Sequence, residues 1–378
     1  MAVNNNKVLI LTESIGGNGH FRAAQAIAKG LDHEAPTVGV DISCGLPQFS
    51  RQLEGVVRKV YLNTLQYAPQ LWGAAYKREE AFSDAFRSGV GKVIAAKLRR
   101  FLDPLNPEVV ICTHAFCLGA AGYVKEQASQ PYRLGAAITD FDVNGFWVHP
   151  AVDFYLVAHE GVAKKLHEKY GVPKERVHHT GIPIDPDFSR SRPDKGEIRK
   201  MLGVAPDPFT IMLMGGGLGL GPLERSIEQF QKDMPTSQLL VITGKNRPLL
   251  ERLSARFGEK RNVHLFGYVQ GMADWMGAAD VIVTKPGGLT SSECLATGLP
   301  MVICRPIPGQ EERNSQFLMQ KKVALRQDRP GSIPRHISPL LDSPDAWREM
   351  SFRARRLGRP DSARDAAQII LQHLSYEK

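Results

Sequence analysis

Short apolar runs alternate with amphipathic stretches along the whole chain. In the first half the runs are "KVLILT" (7–12), "TVGVDIS" (37–43), "EVVICTH" (108–114), "LGAAITD" (134–140) and "DFYLVA" (153–158). In the second half they are "FTIMLMGG" (209–216), "SQLLVITG" (237–244), "NVHLFGY" (262–268), "DVIVTK" (280–285) and "PMVICR" (300–305). Continuous Val/Ile/Leu content, without strict alternation, predicts parallel strands buried on both faces. Between them lie stretches with helical spacing, such as "FRAAQAIAKGLDH" and "VGKVIAAKLRRFLD". Two successive strand-helix series predict two doubly wound α/β domains. The Pro-, Asp- and Ser-rich stretch 180–197 reads as the linker, giving an N-terminal domain 1–185 and a C-terminal domain 198–359. The closing "DSARDAAQIILQHL" reads as a helix with an Asp or Ser cap, and the region 360–378 is expected to pack back on the first domain.

Composition narrows this only a little. The chain has 378 residues and a formal net charge of +9, so its surface favours an acidic partner: nucleic acid, anionic lipid or a phosphorylated small molecule. The five cysteines are odd in number, contain no CxxC and mostly flank apolar runs. That favours reduced thiols over a disulfide framework or a zinc site. No window approaches the roughly 18–20 uncharged apolar residues that span a bilayer. Residues 51–100 stand apart, with ten Lys or Arg against four Asp or Glu and with Tyr61, Tyr67, Trp72, Tyr76, Phe82 and Phe86 interleaved. The segment reads either as a solvated helix pair or as an interfacial contact with an anionic membrane. No nucleic-acid recognition motif is present.

Three glycine-rich turns carry the candidate chemistry. The first, "SIGGNGHF", follows the first strand and suggests a dinucleotide fingerprint, with Asp41 placed as a ribose-binding acid. Counting from Gly17 through Gly19, however, Arg22 stands where a small residue is required. What survives is a glycine turn (Gly17, Asn18, Gly19) with His20 at a helix N-terminus, where the helix dipole favours the neutral ring that a general base needs. The second, Gly215, Gly216 and Gly217, also follows a strand. The third, "KPGGLTSSE", places Gly287, Gly288, Leu289 and Thr290 at a helix start, a preformed diphosphate site, with Glu293 one turn further in. The loop "PGQEERN" then offers Gln310 and Glu311 to sugar hydroxyls.

With these stretches in view, the chain resembles a glycosyltransferase of family 28, in the monogalactosyldiacylglycerol synthase and processive diacylglycerol glucosyltransferase branch. The similarity runs through "SIGGNGHFRAAQAI", "CTHAF", "ITDFDVNGFWVHPAVDFYLVA", "TGIPIDPDF", "MGGGLGLG", "VITGKNRPL" and the stretch 280–314. It implies a GT-B fold, with two Rossmann-like domains facing a central cleft. It also implies an inverting, metal-independent transfer of a hexose from UDP-glucose or UDP-galactose, with no cofactor. The acceptor would be diacylglycerol or glycosyl-diacylglycerol at the cytoplasmic face of the cell membrane, with 51–100 as the peripheral membrane contact.

By the same resemblance, Gly215–Gly217 and Gly287–Thr290 would hold the diphosphate and Phe266–Val269 would meet uracil through the backbone. Glu293 would bind ribose, and Gln310 and Glu311 the hexose. His20 would be the base, with Asp140 as a second candidate. Gly17, Asn18, Gly19, Asn144 and Trp147 would lie on the acceptor side. Asn144 departs from the family's usual histidine, and an amide cannot take up a proton at neutral pH. Two alternatives stay open: transfer of N-acetylglucosamine to a polyprenyl-linked cell-wall precursor, and a UDP-sugar-binding regulator with little turnover.

Overall fold

The computed structural model describes residues 6–13, 18–45, 90–128, 132–217, 219 and 222–374. Residues 51–89 of the basic segment, Gly17, and residues 218, 220 and 221 after the second glycine turn therefore lie outside the described residues. The chain divides into two compact units. The first comprises 1–186, 308–310 and 361–378, and the second 187–307 and 311–360.

The first unit holds a parallel sheet of six strands: β1 (Asn6–Thr12), β2 (Gly39–Cys44), β3 (Val109–Cys112), β4 (Arg133–Ala137), β5 (Phe154–Val157) and β6 (Val177–His179). Their order is β2-β1-β3-β4-β5-β6. Chain direction across the sheet reverses between β1 and β3, so the loops leaving those two strands flank the switch point where α/β sheets bind ligands. Its helices are α1 (Gly19–Glu34), α2 (Val90–Leu105), α3 (Ala115–Ala128) and α4 (Glu160–Tyr170). On α2, Leu98 and Leu102 are buried while Lys97, Arg99 and Arg100 are exposed.

The second unit repeats the architecture. It begins with α5 (Lys195–Met201), followed by β7 (Thr210–Met214), α6 (Leu223–Asp233), β8 (Gln238–Ile242), α7 (Arg247–Phe257), β9 (Val263–Phe266) and α8 (Met272–Ala278). It continues with β10 (Val281–Thr284), α9 (Gly288–Thr297), β11 (Met301–Ile303), α10 (Gln310–Gln320), β12 (Ala324–Arg326), α11 (Ile333–Asp342) and α12 (Pro344–Leu357). Gln310, the first residue of α10, is grouped with the first unit. The strand order β9-β8-β7-β10-β11-β12 is that of a Rossmann sheet, with its switch point between β7 and β10. A buried Arg199 ties the sheet's lower end together. Its Nε donates to the Ala278 carbonyl (2.8 Å) and its Nη2 to Asp280 (2.6 Å), which also accepts from the Thr210 amide. Each charge is thus compensated where desolvation would otherwise be costly.

Two strands escape the apolar pattern, β6 ("VHH") and β12 ("ALR"). Each is three residues long and closes a sheet edge, too short for a periodic signature.

The last helix, α13 (Ser362–Gln372), belongs to the first unit. Ala366, Ala367 and Ile370 join Val8, Ile10, Ile27 and Leu31 in one buried cluster against the sheet. The approach to α1 is close: a Cβ on Gly30 would fall 2.3 Å from the Ala363 carbonyl oxygen. Gly30→Ala should therefore force α13 outward and destabilise the protein by about 1–3 kcal/mol, the usual range for overpacking. Urea unfolding monitored by circular dichroism checks this.

Candidate active site

In the second unit, both strands at the switch point end in glycine turns. After β7, Gly216 adopts φ +69°, and no atom lies within 4 Å of where its Cβ would be. The turn is braced by the loop after β8, where the Lys245 amide donates to the Gly217 carbonyl (3.0 Å). That contact requires Gly244, whose φ is +60° and whose Cβ would lie 2.5 Å from the same oxygen. Lys245 thereby comes to stand beside the glycine turn, with Nζ 5.9 Å from the centre of the exposed Tyr268 ring.

After β10, Gly287 caps α9 with an extended backbone, and the Ser291 amide makes the first helical bond back to the Gly287 carbonyl. The amides of Gly288, Leu289 and Thr290 precede that bond, so they have no carbonyl within the helix and present its positive end. A Cβ on Gly287 would meet nothing within 4 Å. The turn is held from behind by Asn314, whose buried amide donates to the Pro286 carbonyl (3.1 Å). This is the geometry of an anion-binding helix start beside a glycine turn. Glu293 is buried within α9.

The remaining donor-side candidates are engaged with protein. The Phe266 carbonyl accepts from the Thr243 amide and hydroxyl, and its ring meets Trp275 edge-on at 4.4 Å. Val269 lies in the turn after β9. Glu311 accepts from the Ile307 amide (2.7 Å), closing the loop that begins at Arg305, a non-glycine residue at φ +49°. Gln310, within the first unit, donates to Asp140 (3.0 Å).

In the first unit, His20 sits in the first turn of α1, just after Asn18 and Gly19, and against the loops leaving β3 and β4. Its Nδ1 lies 2.9 Å from the Thr113 carbonyl oxygen and 2.8 Å from the Thr139 hydroxyl. A carbonyl only accepts, so Nδ1 carries the hydrogen, and in the neutral ring the lone pair is at Nε2. The surrounding packing lowers the His20 pKa below the ordinary histidine value, against the opposing pull of Asp140 and the Thr113 carbonyl. Thr113 is itself anchored, its hydroxyl 2.7 Å from that of Thr12. Asn144 is buried and caps the short 145–147 turn, accepting from the Phe146 amide (3.1 Å). Trp147 is buried in the core between the sheet and α3. Among the described residues, no group of three or more His, Cys, Asp or Glu side chains could hold a metal ion, and no helix is long and apolar enough to cross a membrane.

The family model for monogalactosyldiacylglycerol (MGDG) synthase matches residues 20–184, and that for the glycosyltransferase family 28 C-terminal domain matches 210–350. The chain belongs to glycosyltransferase family 28. Within that family it falls in the branch of monogalactosyldiacylglycerol synthases and processive diacylglycerol glucosyltransferases, and it is a UDP-sugar-dependent glycosyltransferase. It is 29% identical to the processive diacylglycerol beta-glucosyltransferase of Bacillus subtilis, over 97% of this chain and 95% of that one. To the Staphylococcus saprophyticus protein of the same name it is 28% identical, over 93% and 88%. MurG of Acinetobacter baumannii superposes with a TM-score of 0.61 at 15% identity, covering 97% of this chain and 99% of that one. The fold is GT-B.

The sequence reading of this family 28 enzyme passes over Thr113, Thr139, His114 and Lys245. Lys245 had a usable signal, a cation directly after the glycine that ends the β8 run. The three around His20 lie in the stretches "CTHAF" and "ITDF" that carry the family similarity, but no spacing rule links residues 113, 114 and 139 to residue 20 before the strand order is known.

Proposed function

We propose that the enzyme transfers a hexose, with inversion, from UDP-glucose or UDP-galactose to diacylglycerol or a glycosyl-diacylglycerol at a membrane surface. The observation that carries the reading is the fixed tautomer of His20, with Nδ1 held by the Thr113 carbonyl and the Nε2 lone pair left to take a proton. The acceptor hydroxyl gives its proton to Nε2 while its oxygen attacks the anomeric carbon. The bond from that carbon to the β-phosphate oxygen breaks, and UDP leaves. The amides of Gly288, Leu289 and Thr290, together with Lys245, meet the growing charge on the diphosphate, and no step is assigned to a metal.

Asp140 supports the protonated His20 after transfer. Gln310 and Glu311 turn to the hexose, and Glu293 to the ribose. The segment Phe266–Val269 takes uracil against its backbone. The names of the relatives and of the family model support the lipid acceptor, since all contain diacylglycerol, and they divide between glucose and galactose. The exposed Lys97, Arg99 and Arg100 of α2 support contact with an anionic membrane at the cytoplasmic face.

The test offers purified protein UDP-glucose and UDP-galactose with vesicles containing diacylglycerol, and follows UDP release and glycolipid by mass spectrometry. A product mass of diacylglycerol plus hexose is the expected result. UDP binding without product would instead favour the regulator reading.

A further inference from the structure

His114 leads out of β3 directly beside His20. The two rings stand nearly perpendicular, at 88°, with centres 4.7 Å apart. The Phe116 amide lies 3.3 Å from His114 Nδ1 and donates to it, so that nitrogen holds a lone pair and the neutral ring carries its hydrogen on Nε2. A proton added at Nδ1 would destroy this bond and place two donors face to face. We infer that His114 is a positioning residue for His20, its ring walling the imidazole on one side so that Nε2 stays directed away from the Thr113 carbonyl and screened from bulk water. The inference rests on the proposed role of His20 as base.

The arrangement around His20 supports this division of labour. Thr113 after β3 and Thr139 after β4 fix one nitrogen, and His114 fixes the plane of the ring. The ionisable neighbours are His114 and, after β4, Asp140, itself bonded by Gln310, while Glu13, just after β1, accepts from Cys117. Asp140 favours a charged His20, and the packing to which His114 contributes opposes it. His114 cannot take the charge in its place, because burial and the neighbouring His20 both hold its own pKa well below the ordinary value.

The test compares His114→Ala and His114→Phe with the wild type by three readouts. These are kcat against pH, KM for the UDP-sugar, and NMR titration of the His20 ring in substrate-free protein. With alanine, water reaches His20 and its ring loses a wall. The His20 titration and the acid limb of kcat should both move to higher pH, kcat at neutral pH should fall roughly tenfold, and KM should hold. Phenylalanine restores the wall without a titratable group, so both curves should return toward the wild-type position. The inference is overturned if His114→Ala leaves the titration and the acid limb where they were. It is equally overturned if His114→Phe matches the alanine variant in kcat while His20 titrates normally, since His114 would then be moving protons itself. A shifted titration in an enzyme that stays active as His20→Ala would uphold the positioning and refute the base.

Discussion

Replacing His20 by alanine is expected to lower kcat by roughly 10²–10⁴-fold, the contribution of a positioned general base, while UDP binding is unchanged. Binding should survive because the glycine turns proposed for the diphosphate belong to the second unit and His20 to the first. The glutamine variant sharpens the test. Its side-chain amide can still donate to the Thr113 carbonyl, preserving the local hydrogen bond, yet it has no lone pair basic enough to take a proton. Both variants should therefore be equally impaired, with melting temperatures near that of the wild type. A glutamine variant that kept more than a third of the wild-type kcat would remove His20 from the chemistry. The pH dependence carries a sign as well. Activity needs the neutral ring, and the pKa is lowered, so kcat/KM should rise with pH with its midpoint below the ordinary histidine value.

The second large effect is expected at Gly287. Its backbone is in an ordinary extended conformation and the space over its Cα is open, so alanine should fold there without strain. The added methyl would stand where the α9 amides reach for the diphosphate. Gly287→Ala should weaken UDP binding by roughly ten- to a hundredfold, equivalent to about 1.4–2.8 kcal/mol, with thermal stability untouched. Isothermal titration with UDP and a melting curve together decide it. Gly244→Ala is the contrasting control. There the left-handed backbone costs about 1–2 kcal/mol and the Cβ collides with the Gly217 carbonyl, so stability and binding should fall together. Equal UDP affinity in Gly287→Ala and the wild type would remove the diphosphate from this turn.

Much of the fold was readable along the chain. Ten of the twelve strands among the described residues announce themselves as apolar runs, and the interior ones are unbroken because central parallel strands are buried on both sides. β6 and β12, three-residue strands at one edge of each sheet, carry polar residues and do not. The turn and helix start at Gly287 were equally legible, since strand, Pro-Gly-Gly and helix follow one another in sequence and the geometry is local. The surroundings of His20 were not. Thr113, His114 and Thr139 reach it only because β3 and β4 lie next to β1 and to each other in the sheet, a fact of strand order that no window of residues contains. Asn144 shows the complementary difficulty. In the sequence it is visible only as a departure from a family pattern, and that its side chain caps the 145–147 turn is seen only in the fold.

The docking of α13 on α1 has a consequence for how the protein is made. A ribosome extends a chain at about 5–20 residues per second, and domains generally fold as they emerge, N-terminal first. Here the order is partly inverted. The second unit has all its strands before residue 327, while the cluster around Val8, Ile10 and Ile27 waits for Ala366, Ala367 and Ile370 from the far end of the chain. Until α13 emerges, the earlier-made strand β1 and helix α1 carry an uncovered apolar face. Premature termination before residue 362 would leave that face open in every truncated copy, a ready substrate for chaperones and proteases.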